Sequence, residues 1–240
     1  MNSKVPIAVT GSLALLLVLA GFTVANAGGN RSNDQVCDAT ADYFLGQEDY
    51  GEAIATHRRL IDAHPLDALA LYHLGFAYGM SGDRAEEIVE YRKAVALGLR
   101  QWDLYLNLGR ALLEAGDLDG AAKALNTSVA LAPERPESHF NLGLTYERQG
   151  MFAPARDELM TSLRLDPKQP DARNMMGLIY AEERDYTHAR EIWNGLARTE
   201  PDFEPARANL AILDRLEHAP AHSAPADRNP LRTAFAIDAH

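Results

Sequence analysis

The residues NLGRALLEAGDLDGAAKAL, 107–125, return thirty-four positions later as NLGLTYERQGMFAPARDEL, 141–159. A fixed period of this length constrains a fold more than any single motif, because each unit must be one supersecondary element that is completed by its neighbours. On a 34-residue period the chain divides into blocks 34–67, 68–101, 102–135, 136–169 and 170–203, with a half-block from Glu204, and no insertion or deletion breaks the register. Each block opens with large apolar residues at helical spacing, such as Leu71, Leu74 and Tyr78, then Tyr105, Leu108 and Leu112. A very small residue follows the second of them: Ala41, Gly75, Gly109, Gly143, Gly177 and, in the half-block, Ala211. Glycine inside a helix costs about 1 kcal/mol relative to alanine. Its recurrence at one register position predicts a second helix passing too close for a side chain.

The remainder of each block gives a second helix. Gly82, Gly116 and Gly150 suit a left-handed helix stop. Asp49, Asp83, Asp117 and Asp185 are placed to cap the second helix, and Asp49 with Glu52 and Asp83 with Glu86 have capping-box spacing. Ala53, Ala121, Ala155 and Ala189 share one position on it, again implying close packing, and Pro65, Pro133, Pro167 and Pro201 close four of the five blocks.

This skeleton resembles the tetratricopeptide repeat family. Its signature reads here as Leu71…Leu74-Gly75…Tyr78, as His139…Leu142-Gly143…Tyr146…Ala155…Leu159…Pro167, and as Met176-Gly177…Tyr180…Ala189…Trp193…Pro201. The resemblance spans 34–203 and the half-block to about Glu217. It implies an all-α, right-handed solenoid of five helix pairs plus a C-terminal capping helix over 204–217. One helix pair cannot bury both of its apolar faces, so the next pair covers it. Two departures stand out in the second block. Glu87 occupies the packed-alanine position, and Leu99 replaces the proline, with Gly98 before it as a helix stop. A lone buried carboxylate costs several kcal/mol. Glu87 is therefore expected either to pair with an arginine or reach solvent, or else to loosen the joint between blocks two and three.

In this family the first helix of each pair lines a concave groove, so the resemblance implicates positions two, five, six, nine, twelve and thirteen of each block. Position five reads Asp38, Tyr72, Leu106, Phe140 and Asn174; position six reads Ala39, His73, Asn107, Asn141, Met175 and Asn209; position nine reads Asp42, Phe76, Arg110, Leu144, Leu178 and Ile212. The expected groove residues are Tyr72, His73, Phe76, Leu106, Asn107, Arg110, Phe140, Asn141, Leu144, Asn174 and Asn209. An amide both donates to and accepts from a peptide backbone, and the row Asn107, Asn141 and Asn209 resembles the asparagine ladders by which some family members hold an extended peptide. The basic clamp that related chaperone cofactors use for C-terminal carboxylates is absent, Asp38 and Tyr72 standing where its lysines belong. Arg110, flanked by Glu114 and Glu147, either orients an acidic side chain or forms a structural ion pair.

Other features narrow the function. Residues 1–27 carry Lys4, an uncharged run from Val5 to Val24 and Ala25-Asn26-Ala27, the pattern of a signal peptide cleaved after Ala27. The rival reading is an uncleaved membrane anchor, giving inner-membrane association through residues 5–24. Either places the repeats outside the cytoplasm, in the periplasm or another extracytoplasmic space. A linker, 28–33, follows. The net charge of −11 argues against a nucleic-acid partner, which needs clustered lysine and arginine. The single cysteine, Cys37, allows no internal disulfide and no thiolate metal cage; it is a small half-buried residue or an intermolecular disulfide partner. His218 and His222 are split by Pro220, GDLDG at 116–120 lacks the later ligands of a calcium loop, and His57 and His188 fit structural places on second helices. No phosphate loop or nucleophile elbow is present. No catalytic residue, metal site or cofactor is therefore expected. Residues 218–240, rich in alanine and proline, read as a flexible tail. The chain is expected to be a non-enzymatic protein–protein scaffold of the cell envelope that binds an extended or helical protein segment, in the assembly of a pilus, secretion or exopolysaccharide machine. The alternative is an accessory subunit of an envelope enzyme complex in cytochrome or polysaccharide biogenesis. The sequence leaves the oligomeric state open.

Overall fold

The computed structural model describes residues 39–218. The expected leader, the linker, Cys37 and the tail beyond His218 lie outside them. Eleven helices make up the described residues: α1 (Ala39–Gly46), α2 (Tyr50–Ala63), α3 (Ala68–Ser81), α4 (Arg84–Ala96), α5 (Trp102–Glu114), α6 (Leu118–Leu131), α7 (Pro136–Arg148), α8 (Phe152–Leu165), α9 (Pro170–Glu182), α10 (Tyr186–Thr199) and α11 (Glu204–His218). Each packs on the helix before it and the helix after it. The odd-numbered helices also touch one repeat on, α3 with α5, α5 with α7 and α7 with α9. The result is an all-α repeat solenoid: five helix pairs, closed at the C-terminal end by α11.

The recurrent glycines do what their spacing predicts. A Cβ built on Gly75 would lie 2.6 Å from Tyr91, on Gly109 2.5 Å from Leu125, on Gly143 2.9 Å from Leu159 and on Gly177 2.5 Å from Trp193. The partner is in every case sixteen residues on, in the second helix of the same repeat. Ala53, Ala121, Ala155 and Ala189 are fully buried in the same interface. The apolar core follows the stack, and Leu144 and Tyr146 pack against both its first and its second half. Burying each large apolar side chain contributes roughly 1.5–3 kcal/mol.

The turn inside each pair is also periodic. The fifteenth residue of every block is left-handed: Gly82, Gly116 and Gly150, but also Glu48 (φ 59°) and Arg184 (φ 63°). Asp49, Asp117 and Asp185 cap α2, α6 and α10 by accepting from the backbone N–H of Glu52, Gly120 and His188. Asp83 does not cap α4. Its carboxylate accepts from the Ser81 hydroxyl at 3.0 Å instead, a nearer donor that only this turn possesses.

Both irregularities of the second repeat are accommodated locally. Gly98 is left-handed, and the amides of Gly98 and Leu99 return to the carbonyls of Val95 and Ala94, a Schellman stop with Leu99 buried behind it. Glu87 is buried and pairs with Arg84, which also reaches Glu114 on α5. Gly79 makes the room, since a Cβ there would lie 2.5 Å from the Glu87 carboxylate. Burial pushes the Glu87 carboxyl above its ordinary range, against the opposing pull of Arg84 and of a hydrogen bond from Tyr91.

A device unseen in the sequence ties the two ends of a repeat together. Ser128 donates to the carbonyl of Trp102 at 2.7 Å, and Ser162 donates to that of Pro136 at 2.8 Å. Each serine lies twenty-six residues after the carbonyl it binds. A helix N-terminus is thus held by its own repeat's second helix.

Candidate functional site

The odd-numbered helices pack side by side, so residues at one register position form rows running from repeat to repeat. Side chains one turn apart on a helix extend those rows into a wall. Of the residues expected to line it, Phe76, Asn107, Arg110, Phe140, Asn141 and Leu144 are partly exposed, on α3, α5 and α7. Tyr72, His73, Leu106, Asn174 and Asn209 are buried, so they build the wall rather than face a ligand.

The buried polar residues are engaged with one another. Asn107 donates through Nδ2 to the Tyr72 hydroxyl at 3.1 Å, thirty-five residues back. Asn209 donates to Asn174 Oδ1 at 2.9 Å over the same interval, and that oxygen also accepts from Trp193 Nε1 at 2.9 Å. Asparagine at position six therefore braces the preceding repeat wherever position five offers an acceptor. Asn141 meets Leu106 at that place, which offers none. It turns back to donate to the Glu137 carbonyl at 2.8 Å, and no described residue donates to its side-chain oxygen. The amide row is thus mainly a set of struts, and Asn141 is the member that braces no neighbouring repeat.

The Tyr72 phenol is held well above its ordinary value, first by burial and then by the charge of Asp103, to which it donates. Sequence reasoning passed over Asp103, although it stands at groove position two and one turn before Asn107. His73 lies between Tyr72 and His57, with ring centroids 5.6 Å from each.

Arg110 occupies the middle of the row Phe76–Arg110–Leu144. Glu114, one turn further along α5, is taken by Arg84. No described residue forms an ion pair with Arg110. Its charge instead acts on the Tyr91 phenol, partly offsetting the upward push of burial and of Glu87. The histidines at the other repeats are structural. His139 sets its ring nitrogens against Glu158 (2.6 Å) and the Pro133 carbonyl (2.9 Å), and His188 contacts Asp185 and stacks on Tyr180. The described residues contain no group of three His, Cys, Asp or Glu side chains that could hold a metal ion. What the wall can do is bind, through apolar area, amides and the Arg110 cation.

The sequence matches the family model described as Tetratricopeptide repeat at residues 39–98 and again at 106–170. The chain is a tetratricopeptide repeat protein. Solved structures similar to it include YrrB, described as a TPR protein with an unusual peptide-binding site, at 23% identity and TM-score 0.67, covering 71% of this chain and 88% of that one. MamA from Desulfovibrio magneticus RS-1 is similar at 20% identity and TM-score 0.65, covering 68% and 93%. Pseudomonas aeruginosa pilF is similar at 24% identity and TM-score 0.57, covering 75% and 90%. No curated protein sequence matches the chain. A tetratricopeptide repeat solenoid is a protein–protein interaction scaffold, and repeat proteins of this kind are generally non-catalytic modules. No described helix is long and apolar enough to cross a membrane.

Proposed function

We propose that this tetratricopeptide repeat protein is an exported scaffold of the cell envelope that holds an extended or helical protein segment against the wall formed by α3, α5 and α7. The reading rests above all on one contrast: deeper polar groups are tied to each other, while Phe76, Arg110, Phe140, Asn141 and Leu144 stay partly exposed on consecutive first helices. Aromatic residues and arginine are enriched at protein interfaces, and the Asn141 oxygen is free to accept from a bound backbone N–H. The leader-like residues 1–27 support export, and the role is assembly of a pilus, secretion or exopolysaccharide machine.

The test is crosslinking from envelope fractions with the wild-type chain and with Phe140→Ala/Asn141→Ala. Loss of a specific partner by the double variant, with helicity by circular dichroism unchanged, supports the wall as the binding surface. Unchanged capture refutes it. Recovery of the chain only from the cytoplasm, with residues 1–27 intact, refutes the envelope role.

A further inference from the structure

Resting on the proposed groove, we infer that Arg110 selects the bound segment by a single carboxylate: the partner is an extended peptide carrying one Asp or Glu between apolar residues. Three observations converge on this chemistry. Arg110 is partly buried and forms no ion pair with a described residue, because Glu114, the acid one turn away on α5, is held by Arg84 on the neighbouring repeat. At the same register position, one repeat before and one repeat after, stand Phe76 and Leu144, so the cation is flanked by apolar side chains on both sides. Asn141 on α7 and Asn107 on α5 bracket it with amides.

A guanidinium in such a setting has lost part of its hydration and gained no anion in return. A carboxylate arriving from a ligand completes it, by a charge-assisted and geometrically bidentate bond strengthened by the apolar flanks. The surrounding charge sets the limit. The chain carries a net charge of −11, so a polyacidic segment is repelled at long range. One acid within an apolar sequence satisfies both conditions, with its neighbours lying on Phe76 and on Phe140 and Leu144.

The experiment is selection of phage-displayed random dodecapeptides on the full chain, in wild-type, Arg110→Gln, Arg110→Lys and Phe140→Ala/Asn141→Ala forms. The wild-type pool is expected to converge on one Asp or Glu at fixed spacing from apolar residues. The Arg110→Gln pool is expected to keep the apolar positions and lose the acid, and Arg110→Lys to keep the acid. A peptide from the wild-type pool should bind Arg110→Gln about 10- to 100-fold more weakly. Replacing its Asp or Glu by Asn or Gln should give the same loss on the wild-type chain, a measurement that stands even where Arg110→Gln misfolds. A wild-type pool without an acid, or one rich in Lys and Arg, overturns the inference. The groove itself then stands if Phe140→Ala/Asn141→Ala abolishes capture of those peptides. If no peptide is enriched, or if the double variant captures the same pool, the inference and the groove fall together.

Discussion

Gly177→Ala and Gly195→Ala make the same chemical change on facing helices, and the packing gives them opposite signs. In α9, a Cβ on Gly177 would stand 2.5 Å from Nε1, 2.8 Å from Cε2 and 3.1 Å from Cδ1 of Trp193. Ordinary contacts lie near 3.5–4.0 Å, so the indole must retreat by about 1 Å. Trp193 is fully buried and its Nε1–H is committed to Asn174 Oδ1, which also anchors Asn209 of α11. Overpacking costs about 1–3 kcal/mol, and weakening a buried hydrogen bond costs about 1–3 kcal/mol more. Alanine returns about 1 kcal/mol in helix propensity. The net expectation is a loss of about 1–5 kcal/mol, centred near 3 kcal/mol. A Cβ on Gly195, inside α10, would meet nothing within 4 Å, so only the propensity gain of up to ~1 kcal/mol remains. Urea unfolding followed by far-ultraviolet circular dichroism reads both, through the midpoint at constant m. If Gly177→Ala is as stable as wild type, the close helix approach is not what keeps glycine at this register, and the argument for Gly75, Gly109 and Gly143 fails with it.

Arg184→Gly should raise stability by about 0.5–1 kcal/mol, since a side chain at φ 63° is strained and glycine is not; an unchanged or lower urea midpoint would contradict this. Ser128→Ala should cost about 1–2 kcal/mol by thermal or urea melting, because it removes the bond to the Trp102 carbonyl and strands the buried Ser138 hydroxyl, 2.8 Å away. For Glu87, burial raises the carboxyl in the folded chain, so the folded state binds the proton more tightly than the unfolded state. The stability this supplies is complete below the ordinary carboxylate range and fades as pH climbs through the raised folded value. Glu87→Gln removes that dependence, so its urea midpoint relative to wild type should improve from pH 4 to pH 7, and a flat difference would refute the assignment.

The helix pairs were legible because glycine, alanine and the left-handed turn each occupy one register position, and steric demands of that kind repeat with the fold. What a side chain meets across a joint does not repeat. Asn107 and Asn209 look like members of one row with Asn141, yet their partners are decided by Tyr72, Asn174 and Leu106 in the preceding repeat. Comparing residues thirty-five apart, rather than thirty-four, would have separated the two struts from Asn141. The exposure of Arg110 was illegible for the same reason. Glu114 is its obvious partner within one helix, and only the reach of Arg84 from the repeat before it removes that acid. The Ser128 and Ser162 clasps were missed because a serine on a second helix has many local acceptors, and the choice of a distant carbonyl is made by packing.

Each helix of the stack touches its neighbours in order and, on the odd side, one repeat beyond. Deformation is therefore shared out in series, like strain along a coil spring. A tug on one end is absorbed as a small rotation at every joint, with little change inside any pair. A bound segment spanning α3 to α7 would stiffen only the joints it crosses and leave the rest as compliant as before, so such a protein can grip one partner firmly while yielding to the movements of whatever else it is attached to.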